Sequence, residues 1–176
     1  TLLSSKHGVI KDQSEIDAVG HRVVHGGEDL TESILVDENT LSRLRDLIDL
    51  APLHNPHNIR GINACMRIVE GVPQVAVFDT AFHQSIPPRA FLYAVPQELY
   101  TQNRVRRYGF HGTSHQYVAN AAARYLKQSL ESLNLIVLHL GNGASAAAIE
   151  AGRSVDTSMG LTPLEGLMMG TRCGDL

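Results

Sequence analysis

The sequence contains no tryptophan, only two cysteines, no long apolar run and no block of basic residues. Cys65 and Cys173 are too few and too unpatterned for a disulfide scaffold or a zinc site, so we expect a reducing, cytoplasmic location. No stretch approaches the roughly 20 apolar residues of a membrane span, and no signal peptide is evident. The absences therefore predict no membrane association.

Positive charge is also sparse, since the net charge is -3 and the only basic cluster is Arg104, Arg106 and Arg107. Proteins that bind nucleic acids concentrate lysine and arginine on one face to replace counterions. The sequence therefore predicts no nucleic-acid partner.

What the sequence does contain is enough apolar material for a core, because 43% of its 176 residues are hydrophobic and 19% are charged. This length predicts one or two domains. The chain begins at Thr1 without a methionine and ends at Leu176 just after a glycine. We therefore expect it to be a piece of a longer protein.

Apolar periodicity predicts alternating strands and helices, typical of an α/β protein. Proline-rich residues 84–96 predict an irregular connection and the best domain boundary. Asn55 is the predicted N-cap of the second helix, and Thr113 with Gln116 forms a predicted capping box for the third. Strands are predicted at 18–24, 33–36, 75–78, 135–140 and 144–149, and helices at 37–50, at 55–70 and from the Thr113 cap to residue 130.

Two segments have the composition of a phosphate-binding site, YGFHGTSH at 108–115 and LIVLHLGNGAS at 135–145. The first places His111 just ahead of a helix, and the second ends a buried-looking strand in a predicted two-residue Asn142-Gly143 turn. Glycines let backbone N–H groups approach an anion. No Walker motif occurs, which excludes a P-loop fold. The pattern favours phosphoryl transfer, although such turns are often purely structural.

The candidate cationic and donor side chains each have a structural alternative. Arg22 either contacts a phosphoryl group or forms a structural ion pair, and the loop histidines either contact substrate or bond to the backbone. Asp79, after a strand, is either a Mg²⁺ ligand or a turn aspartate. The i, i+4 pair His111 and His115 is a weak zinc signal, because only His115 lies inside the helix.

Six segments follow one another along the chain: GHRVVHGGE (20–28), LAPLHNPHN (50–58), VFDTAFHQSIP (77–87), RRYGFHGTSH (106–115), LHLGNGAS (138–145) and DTSMGLTPLEGLMMGTRCGDL (156–176). Together they resemble the acetokinase (acetate kinase) family. The resemblance implies an α/β, actin-like ATPase (ribonuclease H-like) two-domain architecture that is incomplete at both ends of this chain. Residues 1–80 would belong to an N-terminal acyl-substrate domain, and 81–176 would begin a C-terminal nucleotide-side domain.

The same resemblance implies the residue roles. Catalysis would involve His111, Arg172, Arg22 and Asp79. Acyl-substrate binding would involve Arg22, Val24, Leu53, His54, Phe110 and Pro163, and phosphate or nucleotide binding would involve His139, Leu140, Gly141, Asn142 and Gly143. No metal ligand is certain, and Asp79 is the one candidate.

The implied reaction is reversible transfer of the ATP γ-phosphoryl group to acetate, giving acetyl phosphate and ADP. ATP is then the co-substrate and Mg²⁺, or Mn²⁺, the cofactor, in a cytoplasmic homodimer. The first phosphate loop, the adenosine site and the Mg²⁺ glutamate typical of the family are not in this sequence. We therefore expect residues 1–176 alone to be inactive. The alternatives are a propionate or butyrate kinase, or a truncated chain that only binds anions or a partner.

Overall fold

The computed structural model describes residues 8–176, which form two three-stranded sheets. In the first sheet the order is β1-β3-β2, with β1 parallel and β2 antiparallel to β3. Parallel pairing brings the carboxyl ends of β1 and β3 to the same edge, with Val23 opposite Phe78. The strands are β1 (Val19–Val23), β2 (Ile34–Leu35) and β3 (Gln74–Phe78).

Helices α1 (Glu38–Asp46) and α2 (Asn55–Ile68) supply the apolar cover of the first core. The Asp37 side chain accepts a hydrogen bond from the Thr40 amide and caps α1. Fully buried core residues such as Leu44 and Ile62 each contribute about 1.5–3 kcal/mol. The helix predicted over 37–50 ends at Asp46 and is followed by a 3-10 turn, Ile48–Leu50.

The prediction that Asn55 caps α2 is wrong, because the N-cap is His54 and Asn55 is already helical. The Asn55 side chain is fully buried, and its Nδ2 donates to the His25 carbonyl at 3.1 Å. Its polar group is therefore used in a tertiary contact. Pro56 lies in the first turn, where a missing N–H costs nothing.

The proline-rich connection is more regular than predicted. The 3-10 helix Ala81–Ser85 ends in it, α3 (Pro88–Phe91) lies within it, and α4 (Gln97–Asn103) begins directly after it. Pro87 and Pro96 are N-caps of α3 and α4, positions at which proline does not interrupt a helical hydrogen bond. The expectation of no regular element is therefore wrong in this stretch.

The second sheet is an antiparallel meander of order β4-β5-β6, and α5 (Gly112–Leu126) packs on it. The strands are β4 (Asn134–Leu140), β5 (Ala144–Glu150) and β6 (Arg153–Thr157). A small core contains Ala119 of α5 and Ala147, Val137 and Ile149 of the sheet. Within residues 8–176, no helix is long and apolar enough to cross a membrane.

Within residues 8–176, strand β4 is buried on one face only. Ile136, Leu138 and Leu140 are 72%, 55% and 73% exposed, whereas Val137 is buried. Successive strand residues point to opposite faces, and α5 packs on only one of them. The β4–β5 turn also differs, because Leu140 pairs with Ala144 across three residues, 141–143, and not two.

Helix α5 begins earlier than predicted, and the Thr113 capping box does not form. The N-cap is His111, and Thr113 lies inside the first turn. The Gly112 amide donates to the Asp79 carbonyl at 2.9 Å, and a Cβ on Gly112 would lie 2.3 Å from that oxygen. This close tertiary contact, possible only for glycine, sets the start of the helix. His111 before the helix and His115 in its first turn are confirmed.

Two of the three arginines of the basic cluster are used inside the molecule, and Arg104 is exposed. Arg106 is 4% exposed, bonds Glu28 at 2.7 Å and lies 3.7 Å from the centre of the Phe91 ring. Arg107 donates to the backbone carbonyls of Thr157 and Met159. These arginines therefore brace the fold and do not form a basic surface.

Candidate active site

The shared edge of β1 and β3 places Arg22 and Asp79 together. Arg22 Nε donates to Asp79 Oδ1 at 2.9 Å, and Nη2 donates to Oδ2 at 2.6 Å. This hydrogen-bonded pairing raises the pKa of Arg22 above its ordinary value. The Asp79 side chain is 2% exposed but that of Arg22 is 66% exposed. Both interpretations of Arg22 fit the geometry, because it is ion-paired and still faces a cleft.

His111 lies at the start of α5 with a left-handed backbone, φ 59°. Its Nδ1 lies 2.9 Å from Ser145 Oγ on β5, and its ring stacks on His139 with centroids 4.0 Å apart. Burial, followed by the nearby His139, lowers the pKa of His111 to about 4. The His111 imidazole is therefore neutral near pH 7.

The β4–β5 turn closely approaches these side chains at Gly143. A Cβ there would lie 2.9 Å from Arg172 Nη2 and 3.1 Å from His111 Cε1. At the end of β4, His139 Nδ1 lies 2.9 Å from Ser114 Oγ in the first turn of α5. The Asn142-Gly143 signal in the sequence thus marks the point at which the turn backbone, the Arg172 guanidinium and the His111 imidazole lie close together.

Arg172 reaches the cleft from the loop that follows β6. Its Nε donates to the Pro163 carbonyl at 2.6 Å, and the Gly170 amide donates to the Asn142 carbonyl at 3.2 Å. The Tyr93 hydroxyl donates to the Glu165 carboxylate. Burial and that carboxylate raise the Tyr93 pKa to about 12. The Gly170 bond joins the loop to the β4–β5 turn, and the Tyr93 bonds join the loop to the segment that follows α3.

Two cavities adjoin at Arg172, which lines both. A polar cleft of about 690 Å³ contains all four proposed catalytic residues, and an apolar cavity of about 400 Å³ lies beside it. Of the predicted site residues, the cleft is lined by Arg22, Asp79, His111, His139, Asn142, Gly143 and Arg172, and the cavity by Val24, Leu53, His54, Phe110, Pro163 and Arg172.

Two predicted phosphate-site residues, Leu140 and Gly141, line neither cavity, and Leu140 is on the exposed face of β4. Their binding role stays a prediction. Sequence reasoning missed Ser114, Tyr117 and the buried Ser145. Both serines lie within the family-like segments, and the two-residue period of β5 was the signal that places Ser145 on the inner face.

The cleft can bind a phosphoryl group but does not by itself make a metal site. Arg22, Arg172 and the first turn of α5 offer positive charge and donors to an anion. Asp79 is the only carboxylate in the lining, and Arg22 engages both of its oxygens. Over residues 8–176, no three His, Cys, Asp or Glu side chains cluster to hold an ion. Asp79 is therefore not free to coordinate an ion while both of its oxygens are paired with Arg22.

Comparisons with known proteins agree on one family. The Acetokinase family model matches residues 1–176. The acetate kinase of Halothermothrix orenii is 61% identical over 100% of this chain and 44% of its own length. The acetate kinase of Thermotoga maritima is 62% identical with the same coverage.

Solved structures show the same similarity in three dimensions. Porphyromonas gingivalis acetate kinase has a TM-score of 0.95 and 48% identity, covering 99% of this chain and 44% of that one. A propionate kinase from Francisella tularensis has a TM-score of 0.90 and 52% identity, covering 94% and 43%. The expected α/β fold is confirmed, and the chain spans 44% of the length of these curated relatives.

Proposed function

The chain belongs to the acetokinase family, and from that premise we propose that the protein containing it reversibly transfers the γ-phosphoryl group of ATP to acetate. The products are acetyl phosphate and ADP. The observation that carries the proposal is the adjacency of the two cavities, with Arg172 lining both. A small acyl group and a phosphoryl group can thereby meet at one guanidinium.

The apolar cavity is proposed to hold the acetate methyl group. Val24, Leu53, Phe110 and Pro163 line it, and the acetate carboxylate would point toward Arg172. Guanidinium and carboxylate match in charge and in bidentate geometry. The cavity wall thus orients the attacking oxygen toward the polar cleft.

In the proposed transfer, an acetate oxygen attacks the γ-phosphorus and the bond from that phosphorus to the ADP oxygen breaks. No base is needed, since acetate is ionised near neutral pH. Charge on the transferring oxygens would be stabilised by Arg22, Arg172 and His111, all of which line the cleft. The turn at Asn142, with His139, is proposed to bind the phosphates, and His54 to polarise the acyl phosphate.

Asp79 is proposed to orient Arg22, because its carboxylate is fully engaged by that guanidinium. Mg²⁺, or Mn²⁺, is expected from the family resemblance. No step proposed for this chain depends on the ion.

A propionate kinase of the same reaction type is the second candidate, because a propionate kinase matches this fold with a TM-score of 0.90. One methylene changes binding in an apolar pocket by only about 1–3 kcal/mol. The relative specificity must therefore be measured.

The test is an acyl phosphate assay on the full-length protein, with hydroxylamine trapping and ATP as donor. We expect product with acetate, and a lower kcat/KM with propionate. Product with propionate but not acetate would favour the second candidate. No product with either acid, from a folded protein that binds ATP, would contradict both.

Three further proposals rest on the family resemblance. The domain boundary is placed at residues 80 and 81, which is supported by Ser85 Oγ donating to the Ser154 carbonyl of the second sheet at 2.8 Å. A cytoplasmic location and a homodimer are also proposed. Light scattering of the full-length protein tests the dimer, and a monomer mass would contradict it.

A further inference from the structure

One buried hydroxyl, that of Ser145, lies between two imidazoles. Ser145 Oγ is 2.9 Å from His111 Nδ1 and 2.8 Å from His115 Nε2. Ser145 and His115 are both 0% exposed. The strand β5 presents Ser145 to the first turn of α5, so the contact is built by the packing of the helix on the sheet.

A hydroxyl carries one hydrogen, so Ser145 donates to at most one of the two rings. Both rings are neutral near pH 7, because burial lowers the pKa of His111 and of His115 to about 4. If both rings donated to Oγ, the hydroxyl hydrogen would be buried without an acceptor. The favourable arrangements therefore have one histidine donating to Ser145 and Ser145 donating to the other.

The second ring nitrogen of His115, Nδ1, decides which histidine donates to Ser145 and which accepts from it. Within residues 8–176, His115 Nδ1 is buried and has no hydrogen-bond partner. If His115 accepted from Ser145 at Nε2, its one hydrogen would be on Nδ1, as a buried donor with no acceptor. If His115 donates from Nε2, Nδ1 carries only a lone pair. Orphaned buried N–H groups are the rarer and costlier case, which favours donation from His115.

The direction of these hydrogen bonds determines the tautomer of His111. Its Nδ1 accepts from the Ser145 hydroxyl, so its single hydrogen lies on Nε2. That nitrogen is on the side of the ring nearest Gly143, since a Cβ at position 143 would lie 3.2 Å from it and 2.9 Å from Arg172 Nη2. His111 Nε2 and the Arg172 guanidinium therefore lie close together beside Gly143.

We propose that His115 and Ser145 are positioning residues that hold His111 as its Nε2–H tautomer, so that His111 donates a hydrogen bond to the transferring phosphoryl group. The role in transfer rests on the function proposed above. The tautomer itself does not, because it follows from hydrogen bonds within the chain. A neutral donor of fixed tautomer needs no reorganisation when negative charge develops nearby.

The test is ¹⁵N NMR of the histidine rings in the full-length protein without nucleotide, with His111 assigned by loss of its signals in His111→Asn. Protonated and unprotonated ring nitrogens have well-separated shifts. We expect His111 as the Nε2–H form in the unsubstituted protein. In Ser145→Ala we expect a mixture of tautomers and a kcat lower by about 10- to 100-fold, the range seen when partners that orient an imidazole are removed.

Matched variants separate positioning from loss of structure. Ser154→Ala also removes a buried serine hydroxyl bonded to a buried histidine, His83, at 2.8 Å, but outside the cleft. We expect it to leave the His111 tautomer and kcat within about twofold of the unsubstituted protein. His115→Gln retains an N–H donor and should keep the Nε2–H form of His111, whereas His115→Leu should lose it.

Three results would overturn the proposal. These are a hydrogen on His111 Nδ1 in the unsubstituted protein, no change of tautomer in Ser145→Ala, and an equal fall in kcat in Ser154→Ala. If the NMR result is as expected but the protein forms no acyl phosphate, the proposed function fails while the assigned tautomer stands. The two failures are therefore distinguishable.

Discussion

The ion pair of Arg22 and Asp79 gives the sharpest test of the site geometry, because the two side chains differ so much in exposure. Asp79 is 2% exposed and Arg22 is 66% exposed, and two hydrogen bonds of 2.9 and 2.6 Å join them. Arg22→Ala would leave a buried carboxylate unpaired. Asp79→Asn would leave a guanidinium that water already reaches. The two single substitutions should therefore have unequal costs.

The magnitude follows from the burial of the carboxylate. Breaking a fully buried pair costs about 3–5 kcal/mol. Water can enter beside Arg22, so we expect Arg22→Ala to lower the free energy of unfolding by about 1–3 kcal/mol. Asp79→Asn should cost less, because its amide oxygen can still accept from Arg22 and water reaches the guanidinium. The double variant should be more stable than Arg22→Ala alone, because it removes the orphaned charge.

Urea unfolding of the full-length protein, followed by circular dichroism, measures these free energies. Arg22→Lys is the matched control, since it keeps the charge but not the two-bond geometry. In the same samples, Arg22→Ala should lower kcat by about 100-fold or more, as for one lost transition-state donor. Equal stability of Arg22→Ala and the double variant would refute the unpaired-charge argument. Near-normal kcat in folded Arg22→Ala would remove Arg22 from the mechanism.

Four more predictions follow from the same geometry. Arg172→Ala should lower kcat about 100-fold or more, and a folded variant with near-normal kcat would contradict its role. Val24→Ala should raise the propionate-to-acetate ratio of kcat/KM, and an unchanged ratio means that Val24 does not contact the acyl group. Burial lowers the pKa of His25 and His83 from the ordinary 6.5 to about 4. Their stabilisation is therefore full above pH 6.5 and lost as the pH falls toward 4, so the urea midpoint should fall between about pH 7 and pH 5, and a flat profile would refute this. Residues 1–176 expressed alone should neither bind Mg-ATP in calorimetry nor form acetyl phosphate, and turnover by them would show that this chain holds a complete site.

The sequence by itself determined the local features of this protein. Apolar periodicity predicted the strands and the longer helices within a few residues, because burial of one face imposes that pattern. The position of His111 ahead of a helix and the glycines of the β4–β5 turn were also readable. So was the family, from six segments in order along the chain.

Only the tertiary structure decided which of these residues act together. The Asp79 carbonyl, and not the Thr113 capping signal, sets the start of α5. The ion pair joins residues 57 apart in sequence, and Ser145 lies 34 and 30 residues from the histidines it bridges. Local propensity acts over a few residues, whereas these contacts depend on how sheets and helix pack. The same packing turned Asp79 toward Arg22, an outcome that no local pattern contains.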